Sequence, residues 1–295
     1  MKMADIEKIL AKNAAFIEKE LDRRLTPELI GGGIMADAMR YATLGGGKRI
    51  RASLCIEFCR MFGGKREDAA SYASAIEMIH AYSLIHDDMP CMDDDDLRRG
   101  KPSCHKAFGE DIALLAGDSL LTYAFENAVL DYSANDRINR YAVYELSHGA
   151  GAMGMCRGQE LDLRLVCGNY DELKNIHNLK TGALIRTASL LGYYAAVAGP
   201  DSAIRDKISK YSMALGLAFQ ITDDLLDVRS TSEVLGKPVG SDAKNGKKTV
   251  LSYMSEEQAE KEALELSQYA AGIFCDYPDG DIICELPMYL LERRK

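Results

Sequence analysis

The chain has 295 residues, 47% of them hydrophobic and 27% charged, and a formal net charge of −9. That balance is typical of a soluble globular protein with a large core and excludes a disordered or low-complexity chain. The acidic excess argues against a nucleic-acid binder, which needs surplus Lys and Arg for phosphates, but leaves room for a small phosphate-bearing substrate held by local basic groups.

The first residues, "MKMADIEKILAKNAAFIEKELDRRL", are charged and amphipathic with no signal-peptide core, and over 5–24 Ile6, Ile9, Leu10, Ile17 and Leu21 fall near one stripe. "TPE" at 26–28 puts Pro at the first position of a helix. Helical patterns follow at 34–43, 50–62, 66–89, 112–132, 136–156, 171–198, 202–228 and 256–273, and no run alternates as a half-exposed strand would. The stretch "AASYASAIEMIHAYSLIHDD" is small or apolar almost all the way round, as a helix inside a bundle would be. Loops are expected at 44–48, 91–102 and 233–248. After 273, "PDGD" marks a turn, with a short helix and a basic end that either cover the site or form a free tail.

Length alone allows one domain or two. No Pro/Gly/Ser-rich linker divides the chain, so one all-α domain over 1–295 is expected. No window reaches the roughly 18–20 apolar residues that span a bilayer. The eight cysteines are scattered without a CxxC pair. Together these features predict a cytoplasmic protein with free thiols and no membrane span.

Charge is concentrated where helices end. Asp87 and Asp88 close an apolar helix at the end its dipole makes unfavourable for carboxylates, and Pro90 cannot continue that helix. Asp93 to Asp96 follow directly, so a cation is expected among them. An EF-hand fails, because counting from Asp93 the sixth position is Arg98 and the twelfth is Cys104. A second stretch, "AFQITDDLLDV", sets Asp223 and Asp227 one helical turn apart, with Asp224 beside them. Two acidic clusters of oxygen donors suit a hard cation such as Mg²⁺, and zinc is disfavoured because no His or Cys lies at ligand spacing.

Basic residues come in tight groups: Lys48, Arg49 and Arg51 after a triple glycine, Arg98 and Arg99 after the acidic loop, Lys180 beside Thr181, and Lys237 in "LGKPVG". The glycine loop is not GxxxxGK[ST], which excludes a nucleotide P-loop. Together with two Mg²⁺-type carboxylate sets, the basic groups describe a cavity for diphosphates.

In "GGKRIR", "HAYSLIHDDMPCMDDDDLRRG", "GQELDL", "LKTG", "FQITDDLLD" and "LGKPVGSD" the chain resembles the trans-prenyltransferases of the polyprenyl synthetase family, most of all the bacterial farnesyl diphosphate synthases. The resemblance implies an all-α helical bundle of isoprenoid synthase type around a deep apolar cavity, in a homodimer. It implies that Asp87, Asp88 and Asp93, with Asp223, Asp224 and Asp227, bind about three Mg²⁺, two at the first motif and one at the second. Arg98, Lys180 and Lys237 would hold the allylic diphosphate, and Thr181 and Gln220 would line its reacting end. Lys48, Arg51, His80 and Arg99 would hold isopentenyl diphosphate. Tyr82, followed by Ser83, would close the cavity after fifteen carbons, giving farnesyl diphosphate. A geranylgeranyl or longer-chain synthase is the alternative, and a catalytically silent regulatory subunit a remote one. A terpene cyclase is disfavoured by the second DDxxD and by the isopentenyl-binding group.

Overall fold

The computed structural model describes residues 3–130, 136–164, 167–229 and 248–292. The N-terminal stripe becomes helix α1 (Met3–Arg24), and its Ile6, Leu10, Ile17 and Leu21 are buried. Helices α2 (Pro27–Ile30), α3 (Gly33–Thr43) and α4 (Ile50–Met61) follow. After a 3₁₀ turn at Arg66–Ala69 comes α5 (Ala70–Asp87), buried continuously from Ala70 to Ile79, as its apolar circumference requires. The remaining helices are α6 (Cys104–Phe108), α7 (Glu110–Leu130), α8 (Asp136–Ala150), α9 (Met155–Leu163), α10 (Tyr170–His177), α11 (Ala183–Ala196), α12 (Ser202–Arg229), α13 (Glu256–Ile273) and α14 (Asp281–Leu291). The fold is an all-α bundle in which α5 and α11 pack on each other and are ringed by α4, α7, α8 and α12.

Several expected boundaries move for local reasons. The helix expected over 136–156 stops at Ala150, and α9 starts afresh after the glycine-rich turn 151–154. The helix expected over 171–198 is interrupted by a π-turn at Asn178–Gly182, in which Ala183 N–H donates to the carbonyl of Asn178. A two-residue hairpin, Leu97–Arg98 against Lys101–Pro102, lies within the acidic loop where no strand was expected. The C-terminal segment is docked: Ile282, Ile283, Leu286 and Leu290 are buried, and Tyr211 Oη donates to the Ile283 carbonyl at 2.9 Å. Phe58, Tyr211 and Phe274 pack edge to face at 5.4–5.9 Å, tying α4, α12 and the residue after α13 together. All eight cysteines are free thiols.

Candidate active site

Helix α5 ends at Asp87, three residues before Pro90. The chain then folds back, with Met92 N–H donating to the Met89 carbonyl at 2.8 Å and Asp93 N–H to the Asp87 carbonyl at 2.9 Å. Asp93 thus returns beside Asp87, a neighbour it could not be on a continuous helix. In the hairpin that follows, Arg99 and Gly100 have φ of 53° and 74°, the two positive values of a tight primed turn. That turn sends neighbouring arginines to different partners. Arg98 Nε lies 3.0 and 3.1 Å from the two carboxylate oxygens of Asp88, and Arg98 also reaches Asp95 at 3.3 Å. Arg99 donates to the Gly46 carbonyl in the glycine loop. Asp96 pairs with Lys106 at 2.8 Å, and Asp94 occupies a left-handed turn position at φ 51°. The aspartates beyond Asp93 therefore serve the loop itself.

On α12, Gln220 and Asp224 are one turn apart and joined by Gln220 Nε2 to Asp224 Oδ1 at 3.2 Å. Asp224 is buried, and its other oxygen accepts from Val250 N–H at 2.8 Å. Thr181 Oγ1 donates to Gln220 Oε1 at 3.1 Å, which links the "LKTG" and "DDLLD" segments across 39 residues. Asp223 and Asp227 are half-buried on the same helix. Burial lowers Arg51, and the charges of Glu77 and Asp223 oppose that, so Asp223 lies within electrostatic reach of Arg51.

The π-turn carries Lys180 and Thr181, and glycines on both sides make room for it. A Cβ on Gly158 of α9 would stand 2.2 Å from Lys180 N, and one on Gly216 of α12 would stand 2.8 Å from Gly182 Cα. Single π-turns inside helices frequently mark functional sites. Lys180 Nζ lies 2.6 Å from Asp162 Oδ2. Asp162, in "GQELDL", was not among the expected site residues; the motif signalled it, but only the fold shows which lysine it meets. Gln159 in the same motif is buried with neither amide atom hydrogen-bonded.

The three basic residues after the glycines separate by role. Lys48 is exposed. Arg49 turns inward at a left-handed backbone position (φ 49°), pairing with Glu77 at 3.0 Å and Glu18 at 2.6 Å. Arg51 lines a cavity and keeps a buried Nε without a hydrogen-bond partner. His80 lines the same cavity. Burial, followed by the charges of Arg51, Arg99, Arg49 and Arg98, holds His80 well below the ordinary histidine value, and so neutral.

That cavity, about 640 Å³, gathers Arg51, His80, Asp87, Lys180 and Thr181 with Tyr82, Ser83 and the apolar Met92, Met155 and Leu163. Tyr82 is buried, with its Oη 3.5 Å from Cys156 Sγ. Ser83 Oγ donates to the His80 carbonyl at 2.9 Å. Lys237 lies outside the described residues.

Asp87 is pushed up to about 6, mainly by burial, with Asp93 and Asp88 adding to the shift and Lys180 and Arg98 opposing it. An oxygen-only donor group with too little positive charge around it fits a hard divalent cation. Among the described residues no three His, Cys, Asp or Glu side chains converge as a ready-made metal site. Asp88 is engaged by Arg98, and Asp224 by Gln220 and Val250.

The polyprenyl synthetase family profile matches residues 33–272. A geranylgeranyl pyrophosphate synthase of Capsicum annuum, named as chloroplastic, is 44% identical over 243 residues, or 80% of this chain. The match covers 65% of that protein, so the chain spans just under two thirds of its length. The solved structure of an FPP/GFPP synthase from Zymomonas mobilis superposes with a TM-score of 0.85 at 33% identity, covering 98% of this chain and 100% of that one. A geranyltransferase from Helicobacter pylori, solved with magnesium and isoprenyl diphosphate, gives 0.77 at 28% identity, covering 94% and 96%. The chloroplast name gives no support to the cytoplasmic placement expected from sequence. No helix among the described residues is long and apolar enough to cross a membrane.

Proposed function

The chain belongs to the polyprenyl synthetase family, and from that premise we propose that it is a chain-elongating prenyltransferase that joins isopentenyl diphosphate to an allylic diphosphate. The observation that carries this reading is the meeting of Arg51, His80, Asp87, Lys180 and Thr181 on one largely apolar cavity.

In this reading Arg98, Lys180 and Lys237 hold the allylic diphosphate, with Thr181 and Gln220 at its reacting end. Lys48, Arg51, His80 and Arg99 hold isopentenyl diphosphate, and the unpartnered Arg51 Nε and the neutral His80 each offer an N–H to it. Asp87, Asp88, Asp93, Asp223, Asp224 and Asp227 are the carboxylates that would hold about three Mg²⁺, whose contribution is to offset charge on the departing diphosphate. The allylic carbon–oxygen bond ionises, the isopentenyl double bond attacks the cation, and a proton is lost to regenerate an allylic product. The apolar wall keeps water from the cation, and no protein nucleophile is needed.

Geranylgeranyl diphosphate is the product the named sequence relatives favour over the farnesyl diphosphate expected from sequence. Farnesyl diphosphate stays as a second reading because Tyr82, buried on the cavity wall five residues before Asp87, narrows the space for the chain. A homodimer is supported by α7, which leaves Leu114, Leu115, Val129 and Leu130 in solvent.

The test offers isopentenyl diphosphate with dimethylallyl, geranyl or farnesyl diphosphate separately and measures product length. Use of farnesyl diphosphate as acceptor, with a twenty-carbon product, supports the first reading, and arrest at fifteen carbons supports the second. Release of no diphosphate from any pair would remove the transferase reading.

A further inference from the structure

Gln220 and Gln159 differ in what holds their amides. Gln220, expected from sequence at the reacting end of the allylic substrate, is engaged at both ends: Oε1 accepts from Thr181 and Nε2 donates to Asp224. Gln159 of α9 is nine-tenths buried on the cavity wall, and neither its Oε1 nor its Nε2 has a hydrogen-bond partner. Among the described residues that line the cavity, only Arg51 also keeps a buried side-chain atom in that condition. Burying a polar group unsatisfied is costly, and such groups in native proteins mark places where something else is bound.

The position of Gln159 says what that is. Three residues on, roughly 4.5 Å along the helix axis, Asp162 holds Lys180 at 2.6 Å. At the preceding residue, Gly158, the α9 backbone passes so close to the π-turn that a Cβ would stand 2.2 Å from Lys180 N. One turn to either side on the same face, Met155 and Leu163 supply apolar wall. Gln159 thus sits where the charged end of the cavity gives way to the apolar part, the place of the carbon–oxygen bond of an allylic diphosphate.

We propose that Gln159 is a catalytic residue of the ionisation step: its Nε2–H donates to an oxygen of the allylic diphosphate while Oε1 faces the allylic carbons. The proposal rests on the prenyltransferase reading. In that step the C1–O bond breaks with its electron pair on the diphosphate oxygen, and positive charge spreads over C1 and C3 until the isopentenyl double bond closes on C1. One neutral amide answers both signs of charge, with a donor at one end and an acceptor at the other. A cation in its place would only tighten the diphosphate, and an anion would repel it. Rotation of the side chain carries the amide from its unsatisfied position onto the bound substrate.

The experiment compares wild type with Gln159→Leu, which keeps much of the shape and removes both hydrogen-bonding ends. Without Mg²⁺ or diphosphate, the variant is expected to melt about 2–4 °C higher, because a buried amide without a partner is replaced by an apolar group. With dimethylallyl and isopentenyl diphosphates its kcat is expected to fall about a hundredfold, with KM for isopentenyl diphosphate unchanged. Affinity for a dimethylallyl thiolodiphosphate that resists ionisation, measured by calorimetry with Mg²⁺, should weaken only about tenfold. A variant that melts lower than wild type, as loss of a structural hydrogen bond would require, overturns the proposal, and so does one that keeps wild-type kcat. A wild type that forms no prenyl product removes the transferase reading itself, whereas a competent wild type beside an equally competent variant removes only the role of Gln159.

Discussion

Arg98 grips Asp88 through both carboxylate oxygens, at 3.0 and 3.1 Å from Nε. A carboxylate proposed to bind a cation in the first acidic motif is therefore neutralised by the arginine proposed to hold the allylic diphosphate, and in that reading loading the site requires the two to part. Arg98→Gln should take from Asp88, 2% exposed, the guanidinium that offsets its buried charge and destabilise the metal-free protein by about 3–5 kcal/mol. Mg²⁺ should raise the melting temperature of this variant more than that of the wild type, while turnover falls. Thermal melts with and without Mg²⁺ check this, and an equal shift in both proteins would contradict it.

Asp162 holds Lys180 at 2.6 Å. Asp162→Asn should cut kcat by about tenfold to a hundredfold through misplacement of the ammonium, with a smaller change in stability. Asp162→Glu should recover part of the loss. Steady-state kinetics at saturating isopentenyl diphosphate read the difference.

Gly158→Ala puts a methyl 2.2 Å from Lys180 N, where only backbone movement can relieve the clash. The substitution should destabilise the fold by about 1–3 kcal/mol and lower activity beyond what the melting shift explains. Denaturant unfolding beside a turnover assay at low temperature separates the two effects.

Asp87 titrates near 6 in the fold against an ordinary 3.8. A raised carboxyl value means its contribution to metal-free stability is full below about pH 4 and is lost as pH rises through 6. A divalent cation binds the carboxylate and competes with the proton. The Mg²⁺-induced rise in melting temperature should therefore be small at about pH 5 and complete by about pH 7.5. Asp87→Asn should flatten that dependence.

Lys48 and Arg49 are adjacent in sequence but differ in burial and partners. Arg49→Ala takes the paired guanidinium from Glu77, itself 2% exposed and left with the Ala52 N–H, and should destabilise the protein by about 3–5 kcal/mol. Lys48→Ala, at an exposed position, should stay within about 0.5 kcal/mol of wild type and raise KM for isopentenyl diphosphate. Parallel melts and kinetics on the pair distinguish a structural from a binding cation.

The all-α class and the two acidic motifs were legible because helical periodicity and charge are local properties of the chain. Pro90 even announced that the helix would stop before Asp93, and the Asp93 N–H to Asp87 carbonyl bond is the form that stop takes. The π-turn at Asn178–Gly182 was not legible, because nothing within "NLKTG" demands it. It forms where Gly158 and Gly216, from two other helices, leave room. Asp162 was hidden for the same reason, since its role depends on a lysine 18 residues away.

The sequence by itself determined that the chain is helical and that its carboxylates and cations gather in short groups near helix ends, because each follows from neighbours within a turn or two. Only the tertiary structure decided which cation meets which carboxylate: Arg98 with Asp88, Lys180 with Asp162, Arg49 with Glu77. Those pairings join residues 10, 18 and 28 positions apart, beyond the reach of a helical turn, and Coulomb energy in a partly desolvated cavity depends on distance, not on order in sequence. The same holds for the Tyr82 and Cys156 contact on the cavity wall, whose two halves are brought together by packing alone.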